Sequence, residues 1–274
     1  MSETAMAKIT DNNYGLPLIE ALSSHETFNT GANKPMLITG VDATGAKGDY
    51  VVKFRAAERL SVEAFMRELL AVFIASQMEI RVVNAVVVNI SQAFVDILVG
   101  NPAWQYASKS LGFNYGSEYI KGYSTIPISQ DLNNHQLAFA QTIFVFDVLI
   151  QNPDRTNEKP NLMTNGNEIV IFDHELAFGF VFDIFNNPIP WEIRDADYEW
   201  INRHCLLPKI KGKAFDFDGF SDRFNNLDDK FWEVAWSLIP PDWKNDQFEK
   251  IRIHFTIIKE NKEAFISELK KILS

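Results

Sequence analysis

The sequence predicts an α+β fold in two lobes: a small mixed N-terminal lobe built on an antiparallel sheet, then a mainly helical C-terminal lobe. Three observations predict it. Residues 35–54 alternate like two strands around a glycine-containing turn. Residues 61–90 pass from helical to strand periodicity. Beyond residue 134 most of the chain has helical spacing with short breaks. The expected division is 1–116 for the first lobe and 117–274 for the second.

Taken in order, the first 25 residues read as loosely structured or as an edge element. PMLITG and DYVVKF then form a hairpin across the turn-rich segment 42–48. Ser61 opens a helix to about Met78, with Phe65, Leu69, Val72 and Phe73 at helical spacing, and 83–90 returns as a β-branched strand. The glycine-containing stretch 112–120 is the expected connector between lobes. After it come a helix over 134–151, a polar loop, a short strand at 169–172 and the helical remainder. Trp191, Trp200, Trp232, Trp236 and Trp243 all fall in the second half and read as packing.

At 274 residues, with 46% hydrophobic content and 22 Phe, the chain can bury a substantial core in one large domain or two lobes around a cleft. A formal charge of -10 argues against a nucleic-acid-binding surface or an anionic-membrane footing. No run reaches the roughly 18 apolar residues of a membrane span; the best, 138–150, is interrupted by Gln141, Thr142 and Asp147. The single Cys205 cannot form an internal disulfide and reads as a small buried hydrophobe, so the expected location is cytoplasmic.

The chemistry concentrates in residues 146–178, FDVLIQNPDRTNEKPNLMTNGNEIVIFDHELAF. A mostly apolar helix ends at Asn152-Pro153, a polar loop presents Asp154 and Asn161, and a strand delivers Asp173. A magnesium-dependent phosphotransferase spaces its groups this way. One acid orients the acceptor hydroxyl, and a loop Asn with a strand-end acid holds Mg2+ against the phosphates. Asn-Pro-Asp-Arg is also a good turn sequence, so Asp154 alone is open to a structural role.

Lys53 places a cation on the apolar run Tyr50-Val-Val-Lys-Phe54, where a phosphate-bridging lysine belongs, and Glu68 on the next helix is its natural partner, with Glu63 as competitor. A snorkelling strand-end lysine is the plain alternative. Upstream, the segment containing Thr30, Gly31, Ala32 and Asn33 offers small residues whose backbone N–H groups could cover phosphates.

The ordered set TGANKP, YVVKF, RELLA, GFNYGSEYI, NPDRTNEKPNLM and IVIFDHELAF resembles the HipA-like kinase domain, a bacterial group related in fold to protein kinases and phosphatidylinositol kinases. The motifs cover residues 27–178. The resemblance implies one kinase-like domain with ATP in the cleft, Lys53 on the phosphates, Glu68 as its partner, Asp154 as catalytic acid, and Asn161 and Asp173 as Mg2+ ligands. It further implies that backbone near Glu118, Tyr119 and Ile120 reads the adenine. Two departures stand out. Lys159 occupies the position five after the catalytic acid where Asn is usual, and Glu175 replaces the small residue usual after Asp173-His174. His174 reads as structural.

The expectation is a Ser/Thr protein kinase in a toxin-antitoxin or regulatory setting, with a protein or small-molecule phosphoacceptor and a regulatory protein partner. No helix-turn-helix or basic arm appears, so DNA association would require that partner. The alternatives are a nucleotide-binding pseudokinase, to which Lys159 and Glu175 point, and a small-molecule or lipid kinase with its acceptor pocket in 188–222.

Overall fold

The computed structural model describes residues 7–28, 34–57, 61–127, 129–183 and 189–274. The N-terminal part holds strands β1 (Leu18–Thr27), β2 (Met36–Val41) and β3 (Lys47–Lys53), helix α1 (Val62–Gln77), strand β4 (Ala85–Ile90), short helices α2 (Gln92–Ile97) and α3 (Trp104–Ala107), and strand β5 (Gly112–Glu118). There follow β6 (Ser124–Thr125), α4 (Asn134–Leu149), β7 (Leu162–Thr164) and β8 (Ile169–Ile171). The chain ends in helices α5 (Asp195–Ile201), α6 (Leu207–Ile210), α7 (Phe217–Asn225), α8 (Asp229–Leu238), α9 (Gln247–Glu260) and α10 (Lys262–Leu273). Among the described residues no helix is long and apolar enough to cross a membrane.

The hairpin forms as its alternation predicts, β2 pairing antiparallel with β3 from Met36↔Val52 to Val41↔Lys47. The sheet departs from the antiparallel expectation in one respect. Its order is β1-β2-β3-β5-β4, and a parallel pairing of β1 with β4 (Leu18↔Val87 to Glu20↔Asn89) closes it into a barrel. Two further expectations are corrected with it. Part of the N-terminal stretch read as loose is β1, held on both edges by β2 and β4. Most of the expected connector is β5, which pairs with both β3 and β4. The division placed at 116/117 therefore falls inside a strand.

Gly116 marks a close approach rather than a break. A Cβ there would lie 2.5 Å from Val88 Cγ2, and one at Gly40 would lie 2.3 Å from Ile19 Cγ2. A barrel this small has no room for side chains at those points.

β4 is buried on both faces, which explains its unbroken Ala-Val-Val-Val run. Val86, Val88 and Ile90 join Ile19, Ile38, Val52 and Phe94 in one core cluster, while Ala85 and Val87 face a second, larger one. That second core contains α1, buried almost all round, together with α4 and the C-terminal helices. Trp243 and Trp232 are buried in it, as expected of packing residues, but Trp236 is 39% exposed, with Lys244 Nζ 4.7 Å from its ring centre. Cys205 is buried, and burial pushes its thiol up to about 12, as befits an inert packing residue.

Candidate active site

α1 begins where Ser61 accepts a hydrogen bond from the Ala64 N–H, an N-cap that leaves Glu68 on the second turn, aimed at β3. β3 in turn carries Lys53 at its last position. The chain leaving α1 then binds the second sheet: Ile171 N donates to Arg81 O at 2.9 Å and Val83 N donates to Ile171 O at 3.1 Å. These bonds fix the end of β8, two residues before Asp173, next to the helix that carries Glu68.

Lys53 Nζ consequently sits among three carboxylates. It donates to both oxygens of Glu68 at 2.8 and 2.9 Å, to Asp173 Oδ1 at 2.7 Å and to Glu175 Oε2 at 3.4 Å. Lys53 is 8% exposed and Glu68 2%. Burial works to depress the Lys53 ammonium, but Asp173, Glu68 and Glu175 together hold it well above the ordinary lysine range. Burial raises Glu68 to about 7, with Asp173 and Glu175 adding to the rise and Lys53 opposing it. Asp173 moves the other way: burial would raise it, and Lys53 holds it below the usual carboxylate range. Glu63, the competing acid, instead bonds to Ser61.

A second group lies within the field of Asp173. Asn161 Nδ2 lies 3.5 Å from Asp154 Oδ2, and Lys159 Nζ lies 3.7 Å from Asp154 Oδ1. Burial raises the Asp154 carboxyl, Lys159 opposes the rise and the charge of Asp173 adds to it. The field of Asp173 thus connects the two groups. Lys53 pairs with Glu68 as the sequence predicts and Asp173 joins them, while the Asn161 side chain lies against Asp154 rather than in a bond to Asp173, the other expected Mg2+ ligand.

The backbone here is special. Lys34 and Glu79 aside, the described non-glycine residues with positive φ all lie between 151 and 178: Gln151 (48°), Asn161 (48°), Asp173 (60°) and Phe178 (63°). Asn and Asp tolerate the left-handed region best, and strain of this kind gathers at functional sites. Tertiary bonds hold it in place. The Asn161 carbonyl accepts from Arg155 Nη1 at 2.7 Å and from the Phe172 N–H at 3.3 Å, and the Phe178 N–H donates to Ile150 O at 2.7 Å.

The sequence reading missed the network that anchors the loop. Asp147, 0% exposed inside α4, accepts from Arg155 Nε and Nη2, from Asn152 Nδ2 at 2.8 Å and from His204 Nε2 at 3.0 Å. The Arg155 guanidinium, followed by bonds from His204, holds the Asp147 carboxyl well below its usual range against the cost of burial. The Leu206 N–H donates to His204 Nδ1 at 3.2 Å, so neutral His204 carries its proton on Nε2, where Asp147 receives it. The signal was present: Asp147 is the only acid in a mostly apolar helix, and such a charge needs a buried partner.

His174 is structural as predicted. It is fully buried, and its Nε2 lies 3.2 Å from Arg155 Nη2, which can only donate. Its proton therefore sits on Nδ1, which has no partner among the described residues. Burial, then the charge of Arg155, pushes its pKa down to about 3.

Of the expected adenine-reading segment, the Glu118 N–H donates to Asn84 O and the Tyr119 N–H to Asp49 O, both at 2.9 Å. Only the Ile120 N–H keeps no partner among the described residues. Thr30, Gly31, Ala32 and Asn33 lie outside the described residues. Glu68, Asp173 and Glu175 present carboxylate oxygens within 4.8 Å of one another, all three residues bonded to Lys53 Nζ; of the two expected Mg2+ ligands Asp173 belongs to this group, and its hard oxygen suits that ion.

A family model described as HipA-like kinase matches residues 25–268. No curated protein sequence matches the chain. Among solved structures, the open conformation of CtTel1 aligns over 89% of this chain and 12% of its own, at 11% identity and a TM-score of 0.37. The PAN3 pseudokinase of Neurospora crassa aligns over 94% and 68%, at 12% identity and a TM-score of 0.35. The complex of Neurospora crassa PAN2 with PAN3 gives 97% and 68%, at 12% identity and a TM-score of 0.36. This chain thus spans only a small part of CtTel1.

Proposed function

The chain belongs to the HipA-like kinase family, and from that premise we propose that it is an ATP- and Mg2+-dependent phosphotransferase acting on Ser or Thr hydroxyls of a protein. We also infer two lobes around a cleft, the first ending with β5, and a cytoplasmic setting with a regulatory protein partner. The observation that carries the function is the pair of groups linked through the charge of Asp173: Lys53 with Glu68 and Asp173, and Asp154 with Asn161.

In this reading Glu68 positions Lys53, and Lys53 orients the nucleotide phosphates. Asn161 and Asp173 would hold Mg2+, which when bound supplies positive charge to the transferring phosphoryl group. Asp154 orients the acceptor hydroxyl and receives its proton. Its raised carboxyl is the more basic for that task. The Ile120 N–H, without a partner among the described residues, is offered to the adenine edge.

A second reading, a nucleotide-binding pseudokinase, is favoured by Lys159 standing against Asp154 at 3.7 Å in place of the usual metal-binding Asn. Incubation of the purified protein with Mg2+ and ATP, followed by mass spectrometry of the protein and of added lysate proteins, separates the two. Phosphate transfer to Ser or Thr is the expected result. Nucleotide binding without transfer would replace the first reading by the second.

A further inference from the structure

We propose that the cleft between α8 and α9 binds an arginine side chain presented by a basic peptide segment of a partner protein. α8 carries Trp232 and Trp236 one turn apart, with Asp229 and Glu233 spaced likewise, and α9 brings up Phe248 and Glu249 in its first turn. Together they line a cavity of about 490 Å3, within the range of about 300–1,000 Å3 usual for ligand sites. Its walls are aromatic. The Phe248 ring centre lies 4.9 Å from that of Trp236 and 5.9 Å from that of Trp232. Trp232 is buried, whereas Trp236 is 39% exposed and so stays open to a ligand.

The chemistry of this cleft selects a cation. An indole ring attracts positive charge through its quadrupole, and Trp236 already does so within the chain, since Lys244 Nζ lies 4.7 Å from its ring centre. Acids stand beside the rings. Glu249 is taken by Arg252, whose Nη2 and Nε donate to it at 2.6 and 2.8 Å, and Arg252 also lies in the field of Asp229. Glu233 has no hydrogen bond or ion pair among the described residues. Asp229, Glu233 and Glu249 against Arg252 and Lys244 leave a negative surplus, on a chain whose formal charge is -10. That sign repels the phosphates of nucleic acid and of anionic lipid, and it repels a second copy of this chain. Arginine suits the walls better than lysine, because its planar guanidinium stacks on aromatic rings and forks to a carboxylate, here Glu233. The cavity is roomier than one side chain needs, so the residues flanking that arginine enter with it.

Fluorescence anisotropy with a labelled Gly-Ser peptide carrying a central arginine flanked by lysines tests this on the whole chain. None of the cleft residues belongs to the active site, and binding is measured without nucleotide, so the result is independent of kinase activity. The wild type should bind saturably. Trp236→Ala should weaken binding about tenfold and Glu233→Gln about threefold, as expected for loss of a cation–π contact and of an exposed ion pair. Thermal unfolding of each variant confirms that it is folded. The same peptide with citrulline for the central arginine keeps the shape without the charge and should bind at least tenfold more weakly to the wild type, a comparison that needs no variant. Absence of saturable binding would overturn the inference, as would equal affinity for the arginine and citrulline peptides, or full affinity in both variants. Arginine methyl ester binding as tightly as the peptide would overturn the choice of a protein partner in favour of a small amine.

Discussion

Arg155 donates through Nη1 to the backbone carbonyl of Asn161 at 2.7 Å, so the residue next to Asp154 also fixes the backbone of the candidate metal ligand. The same guanidinium is paired with Asp147, and both side chains are 0% exposed. Removing one partner of a buried pair strands the other charge, which costs about 3–5 kcal/mol. Arg155→Met should therefore lose stability on that scale in urea unfolding. A loss below about 1 kcal/mol would show that the loop holds its shape without the network.

Asp154 should behave in the opposite way. It is half buried, and its partners, Asn161 at 3.5 Å and Lys159 at 3.7 Å, are too distant to contribute much to folding. Asp154→Asn should change stability by less than about 1 kcal/mol while lowering phosphate transfer by about a hundredfold or more. Full transfer activity in this variant would remove Asp154 from its role.

What could be read in the chain and what could not follow a physical line. Lys53 was readable because a charge on an apolar run violates local patterning, and such violations mark paired or functional groups; Glu68 was readable as an acid on the helix that follows. Asp147 violated the pattern equally. Its partner Arg155 lies eight residues away across a turn, though, and His204 lies 57 away, a pairing that only tertiary structure creates. The barrel was hidden for a related reason. β1 alternates buried and exposed only over Leu18 to Glu20 and Ala21 before becoming polar, and its parallel partner β4 lies beyond an entire helix. Gly112 and Gly116 looked like breakers, whereas Gly116 is required by the side chain of Val88.

Lys53→Met should leave Glu68, Asp173 and Glu175 facing one another without their shared cation. Uptake of a proton by Glu68, already raised to about 7, limits the cost. A loss of about 2–3 kcal/mol is expected, below the full value for a stranded buried charge. Nucleotide binding should weaken as well. The double variant Lys53→Met/Glu68→Gln should be more stable than Lys53→Met alone. Strict additivity of the two single effects in urea unfolding would deny the coupling.

The two loop residues beyond Asp154 should separate in a metal titration. An amide oxygen is a ligand for Mg2+ and an ammonium is not. Asn161→Ala should raise the Mg2+ concentration needed for phosphate transfer, whereas Lys159→Ala should leave that requirement in place and alter ATP affinity. An unchanged Mg2+ titration in Asn161→Ala would reduce Asn161 to a turn residue.

Acid should destabilise the fold earlier than its carboxylates alone would require. Burial depresses His174 to about 3 and His254 to about 4, and it lowers His204 as well. A histidine held neutral in the folded chain takes up its proton only on unfolding. Its contribution is thus complete above its unfolded pKa of about 6.5 and is lost as pH falls below it, toward the folded value. For His174 this amounts to about 2 kcal/mol between pH 7 and pH 5. Glu68 opposes the trend, because a carboxyl raised to about 7 stabilises the folded state as pH falls through that value. Comparison with a variant isolates the histidine. Gln at position 174 can still accept from Arg155 but does not titrate, so His174→Gln should lose about 2 kcal/mol less than the wild type between pH 7 and pH 5 in urea unfolding. Parallel pH profiles for the two proteins would mean that His174 is charged in the folded chain.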